Sequence, residues 1–216
     1  MDAPSTRVRF AVTLALFALL GLFAWRSGRK IYEEGPALDI REERGAVVLH
    51  WAHAVEAPMA QRFEDAFSKW KGKTGHFVID LDSPGGAIAE GRLVIEEIER
   101  MKATHEIDSY VGAGADCLSM CVPIYLAGEH RTAAKNARFM FHEPSSYDLV
   151  TDEKVTEPGF EKKMTADKFF ERYFGKSQMS PEWREKLRAD WKGRDLWFTA
   201  GELVEQKSGV VEEIEQ

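Results

Sequence analysis

Two periods of apolar residues run through this chain, and they alternate. Ala46 to Trp51 is a short apolar run of strand length. Ala57 to Trp70 then shows Met59, Phe63, Phe67 and Trp70 at three- to four-residue spacing, which predicts an amphipathic helix. His76 to Leu81 reads as a strand that runs straight into Ser83-Pro84-Gly85-Gly86. Ala87 to Met101 predicts a second helix, with Ile88, Leu93, Val94, Ile95 and Ile98 on its apolar side. A strand over Glu106 to Val111, a buried helix over Ser119 to Leu126 and a strand over Arg138 to Phe141 follow. Beyond a polar, irregular stretch at 145–165, helices are expected over Thr165 to Tyr173 and Pro181 to Trp191, the second capped by Ser180. Leu196 to Thr199 is a last strand, Ala200 to Gln206 a last helix, and Gly209-Val210-Val211 closes the pattern. Such alternation predicts a layered α/β domain.

The N-terminal stretch follows neither period. Phe10 to Trp25 carries no charge; Arg7 and Arg9 precede it, and Arg26, Arg29 and Lys30 follow. It is shorter than the roughly 20 residues a spanning helix needs, but snorkelling arginines and Trp25 can extend it. A cleaved signal peptide would want a small-x-small site, and Leu22-Phe23-Ala24 offers a large residue instead. The pattern therefore predicts a tail at 1–9, an uncleaved transmembrane anchor at 10–26, a polar linker at 27–44 and one domain at 45–216. The expected topology sets that domain outside the cytoplasm, on the periplasmic side of a bacterial inner membrane.

Composition narrows the function classes. Of 216 residues, 44% are hydrophobic and 30% charged, which suits an ordinary globular core. The net charge of −7, with no basic cluster beyond the flanks of the apolar run, argues against a nucleic-acid partner. Cys117 and Cys121 are the only cysteines. On a regular helix their i, i+4 spacing sets the Cα atoms about 6 Å apart, within bridging range. An exported domain can join them; two buried free thiols are the other reading. Two cysteines alone make no structural zinc site, and His50, His53, His76, His105 and His130 show no ligand spacing, so neither metal nor cofactor is expected.

Three fragments carry chemistry. Cys117-Leu118-Ser119-Met120-Cys121 offers a hydroxyl at a helix start, where unpaired N–H groups and the positive helix end gather. The Met120 N–H would face an oxyanion formed beside Ser119. Gly85 and Gly86 can present backbone N–H groups with no side chain in the way. His142 ends a strand 23 residues after Ser119 and is the candidate base. Nucleophile, base and oxyanion donors are the parts of an acyl-transfer site.

These fragments, with Leu126-Ala127-Gly128, Asn136 to Pro144, Arg194 to Ala200 and Gly209-Val210-Val211, resemble the proteolytic subunit of the Clp protease, within the Clp/crotonase superfamily. The resemblance covers roughly residues 76–212. It implies a Clp/crotonase-like layered domain of repeated strand-strand-helix units, with Ser119 as nucleophile, His142 as general base and Gly85, Gly86 and Met120 lining the oxyanion hole. It also implies a third triad member, Asp190, which would hold the imidazole tautomer. Asp195 follows one residue later than the family interval, so it stays open as the alternative. The anchor and the Cys-x-Ser-x-Cys segment depart from the soluble Clp subunit and resemble an exported, membrane-anchored branch. Neither an ATPase partner nor a barrel assembly carries over to such a branch.

The leading expectation is thus an ATP-independent serine peptidase acting on peptide or protein substrates, as a monomer or a homo-oligomer. A Clp-like module kept only for binding or assembly is the alternative, and it predicts no labelling by a serine-directed probe. Acyl-CoA chemistry on the same turn would want a basic cluster for the CoA phosphates, which the chain lacks. Ser119 read alone is an N-cap, and Cys117 is a rival nucleophile that a disulfide to Cys121 would remove.

Overall fold

A computed structural model of the chain describes residues 16–22, 35–145 and 159–215. The chain divides into two units, Met1–Pro36 and Ala37–Gln216. In the first, residues 16–22 are helical, with Leu16, Phe17, Leu19, Leu20 and Leu22 exposed. Among the described residues no helix is long and apolar enough to cross a membrane. The tail at 1–9, residues 10–15 and 23–26 of the expected anchor and linker residues 27–34 lie outside the described residues.

The second unit is built on a six-stranded sheet in the order β1 (Asp39–Glu43), β2 (Ala46–Trp51), β3 (His76–Leu81), β4 (Glu106–Val111), β6 (Arg131–Ala133) and β9 (Glu213–Ile214). Strands β2 onward are parallel, and β1 pairs antiparallel with β2 through the Arg44-Gly45 turn. Strand β1 lies inside the stretch expected as linker. Its sequence, Asp-Ile-Arg-Glu-Glu, carries the charges an edge strand uses against aggregation, and those charges hide its alternation. One face of the sheet presents Val47, Leu49, Trp51, Phe77, Ile79, Ile107 and Val111 to the core. Helices α1 (Met59–Trp70), α2 (Ile88–Lys102) and α3 (Cys121–Leu126) build the same core. The opposite face is polar: Asp80 accepts from Arg41 at 3.0 Å and bonds His50 at 2.7 Å.

Helix α2 buries Val94 and Ile98 of its expected apolar side, with Ile95 packed against the core, but the buried face is shifted toward Gly91. Gly91, Val94, Glu97, Ile98 and Met101 are buried, while Ile88 and Leu93 are exposed. The reason is Gly91: a Cβ there would press on the Met120 side chain, so the helix approaches the core along its glycine. The substitute for a large apolar residue is close contact, which a hydrophobicity pattern does not register.

A second, three-stranded sheet carries the chemistry: β5 (Asp116–Leu118), β7 (Arg138–Phe141) and β8 (Leu196–Thr199). Helices α4 (Gly159–Tyr173), α5 (Pro181–Asp190) and α6 (Ala200–Glu205) complete the domain. Phe141 of β7 meets Phe174, Trp183 and Phe198 at ring-centroid distances of 5.9, 5.6 and 6.0 Å. The aromatic run at 169–174 thus belongs largely to the core. Ser180 caps α5 with Pro181 at its start, and Thr199 with Glu202 forms a capping box on α6.

Candidate active site

The β5–β7 pair fixes where nucleophile and base meet. The two strands are parallel, with Asp116 opposite Arg138 and Leu118 opposite Met140. Arg138 binds Asp116 through Nε and Nη2, at 2.7 and 2.8 Å, and so pins the register. Ser119 and His142 follow the C-terminal ends of β5 and β7, side by side. The Ser119 N–H donates to the Met140 carbonyl at 2.9 Å. The Ser119 hydroxyl lies 2.6 Å from His142 Nε2. With the imidazole proton on Nδ1, Nε2 accepts from the hydroxyl, the arrangement a general base needs.

Ser119 is not in a helix. It occupies a sharp turn between β5 and α3 at φ 54°, with Met120 as the helix N-cap. The expected helix over Ser119 to Leu126 therefore begins two residues later, at Cys121. The cysteines are joined, with Cα atoms 5.2 Å apart and both residues wholly buried. They do not share a helix: Cys117 is in β5 and Cys121 opens α3, so the bridge spans the nucleophile turn. As a disulfide sulfur, Cys117 has no thiolate to offer as rival nucleophile.

The Ser83-Pro84-Gly85-Gly86 turn comes up against Ser119 from the end of β3. The Ser83 N–H donates to Asp116 O at 2.6 Å, and the Leu118 N–H to Ser83 O at 3.0 Å. The Val55 N–H holds Gly85 O at 2.8 Å. A Cβ on Gly85 would stand 2.5 Å from Leu118 O and 2.7 Å from Ser119 Cβ. The two glycines divide the work. The Gly85 N–H donates to Ser83 Oγ at 3.2 Å, so Gly85 allows the close approach. The N–H groups of Gly86 and Met120 make no hydrogen bond among the described residues. They are the donors left for an oxyanion.

Asp190 and Asp195 are both exposed. Asp190 ends α5. Asp195 directly precedes β8, whose pairing with β7 closes at Phe141 opposite Leu196. Glu143, next to His142, accepts from the Gly193 N–H at 2.9 Å, an anchor between the His142 strand and the α5–β8 connection that no sequence pattern suggested.

Ser119 and His142 open into a cleft of about 640 Å³. Pro84, Gly85, Gly86, Ala87, Ile88, Met120, Met140, Pro144, Ser145 and Phe169 complete its lining. Among the described residues, the histidine is the one ionisable side chain that lines it. Away from the cleft, His76, Glu106 and Asp108 bring ligand-type atoms within 4.8 Å of one another. That grouping arises from the β3–β4 register, His76 opposite Glu106, which no linear spacing displays.

With this geometry established, comparison with known proteins identifies the lineage. The Clp protease family model matches residues 69–216, more than half of the chain. The chain belongs to the Clp protease family. Among solved structures, the fold is similar to that of a point mutant of ClpP1 from Listeria monocytogenes, with a TM-score of 0.59 and 18% sequence identity. That match covers 78% of this chain and 91% of the other. No protein in the curated set matches the sequence. The Clp protease family match takes in β3 to β9, and with them the Ser83 turn, Ser119 and His142.

Proposed function

We propose that this Clp protease family member is a serine peptidase, with Ser119 as nucleophile, His142 as general base and the N–H groups of Gly86 and Met120 as oxyanion donors. The observation that carries the reading is the 2.6 Å contact between the Ser119 hydroxyl and His142 Nε2 beside those two N–H groups. Ser119 attacks a peptide carbonyl as His142 takes its proton. The tetrahedral oxyanion forms against the two N–H groups. His142 then gives the proton to the leaving amine, and water, activated by the same imidazole, releases the acyl group. A cleft lined by Ala87, Ile88, Met140 and Phe169 suits an apolar substrate side chain next to the scissile bond.

The peptidase is, on this reading, anchored in a membrane and acts outside the cytoplasm without ATP, as a monomer or a homo-oligomer. Support comes from the uncharged run Phe10 to Trp25 between basic flanks, and from a disulfide of the kind oxidising compartments maintain. Asp190, with Asp195 as its alternative, remains the proposed acidic partner of the imidazole on family resemblance.

The test is covalent labelling by a fluorophosphonate probe in the absence of nucleotide. Wild-type protein should label at one site, and Ser119→Ala should abolish labelling. Clean labelling of Ser119→Ala would remove Ser119 from the role. No labelling of folded wild type would favour a binding or assembly module.

A further inference from the structure

Ser119 holds a left-handed backbone at φ 54°, which a residue bearing a Cβ keeps only where its surroundings impose it. Hydrogen bonds and a covalent bridge constrain it. The Ser119 N–H donates to Met140 O at 2.9 Å, and its carbonyl accepts from the Val122 N–H at 3.1 Å. The Cys117–Cys121 bridge starts in β5, ends at the first residue of α3 and has Ser119 at its midpoint. An extended chain would carry Cα atoms four residues apart to about 13 Å. The bridge holds them at 5.2 Å, so the intervening residues must fold back on themselves. A loop this short gains little chain-entropy stabilisation. Its consequence is therefore local geometry, and the residue at the centre is the nucleophile.

We infer that Cys117 and Cys121 are positioning residues for Ser119, and that reduction of their disulfide switches the peptidase off without unfolding the domain. This inference rests on the serine-peptidase reading above. A dithiol supplies the chemistry: it gives two electrons and two protons, the Sγ–Sγ bond breaks, two thiols form, and the dithiol leaves as its own cyclic disulfide. The freed thiols remain in an apolar environment that suits them, since unpaired cysteine packs as a small hydrophobe. Cys117 and Cys121 are two members of the large core between the six-stranded sheet and α1, α2 and α3; the others, from Val47 to Val211, pack against one another without a covalent link. The Ser119 turn depends on the bridge. Once released, it can relax toward ordinary backbone angles, moving the hydroxyl from His142 Nε2 and the Met120 N–H from the oxyanion position. A chain made in a reducing compartment would then stay silent until it reached an oxidising one.

The experiment follows fluorophosphonate labelling of the full chain before and after dithiothreitol. Thiols are counted by the mass gained with iodoacetamide, and the fold is followed by circular dichroism. The expected result is two new thiols, an unchanged spectrum and a labelling rate lower by about tenfold, the population change that left-handed strain of this kind corresponds to. Reoxidation should restore the rate. The double variant Cys117→Ala/Cys121→Ala should label slowly in both conditions, and on an ester substrate its kcat should fall with KM nearly unchanged. Equal labelling of fully reduced protein overturns the inference. So does loss of the spectrum together with the labelling, which would make the bridge a structural staple only. A bridge that opens only in denaturant overturns the switch. If oxidised wild type does not label at all, the peptidase reading itself falls, and this inference falls with it.

Discussion

At the scale of single residues, the site depends on backbone atoms as much as on side chains. Gly85 shows this most directly. It sits at φ 85°, and a Cβ would meet Leu118 O at 2.5 Å and Ser119 Cβ at 2.7 Å. Gly85→Ala must therefore strain its own backbone or push the nucleophile turn away. It should cost about 1–3 kcal/mol of stability and lower probe labelling sharply. A thermal melt read beside the labelling rate checks both, and an unchanged labelling rate would show that the turn has slack. The sequence made Ser119, His142 and the glycine pair legible, because residue type and order carry that information. It did not separate Gly85 from Gly86, since the difference lies in which N–H is already spent on Ser83 Oγ. Nor did it reveal the left-handed Ser119, because a serine beside an apolar run reads as a helix cap. Asp190 came from family spacing alone, and an inserted residue leaves such spacing ambiguous between it and Asp195.

At the scale of elements, periodicity located β2, β3, β4 and β7 at the residues where they occur, because β2, β3 and β7 are largely apolar runs and β4 alternates polar with apolar residues. Strands β5 and β6 escaped it: each has three residues, too few for a period to register. Helix α2 was found, and Val94 and Ile98 of its expected apolar side are buried, but Gly91 and Glu97 of the inward face were not anticipated, and Glu97 is the instructive case. It is 2% exposed, on the buried side of α2, and pairs with Arg100 one turn on. Burial raises its pKa above the usual carboxylate value; Arg100 opposes that in part, and Glu64 adds to it. The folded form thus holds the proton to higher pH than the unfolded chain does. The carboxyl's stabilising contribution is full below its unfolded pKa and is lost as pH rises through the folded one. Glu97→Gln keeps the shape and removes the charge. It should raise stability by about 1 kcal/mol at pH 7, and the gain should shrink as pH falls through the Glu97 titration. Melting temperatures of both proteins across that range test this, and a variant less stable at neutral pH would show that the Arg100 pair outweighs the burial.

At the scale of the whole molecule, the question is how an apolar leader and a self-contained domain divide the work. The unit Ala37–Gln216 encloses its own core and all of the proposed catalytic groups. Its far edge is closed by Arg131, 1% exposed, whose guanidinium binds Glu212 Oε1 at 2.5 Å and the Gly209 carbonyl at 3.3 Å. The C-terminal strand is thereby tied to the sheet by a side chain whose role no local pattern announced. Among its described residues, this domain offers no large apolar patch to lipid: Ile88 and Leu93 are its exposed aliphatics on α2, beside Met164 and Trp197 elsewhere. Membrane association should therefore follow the leader alone. On the anchor proposed above, the sixteen uncharged residues with basic flanks would hold the chain in a bilayer. Full-length protein should stay with vesicles of neutral lipid through an alkaline carbonate wash, whereas residues 37–216 should remain in solution and label with the same probe at the same rate. Neutral lipid matters to the design, because a peripheral attachment through Arg26, Arg29 and Lys30 would need anionic headgroups and would be lost at high salt. Release of the full chain by salt or carbonate would replace the anchor by such a surface attachment, and slow labelling of the truncated chain would mean that the leader takes part in ordering the site.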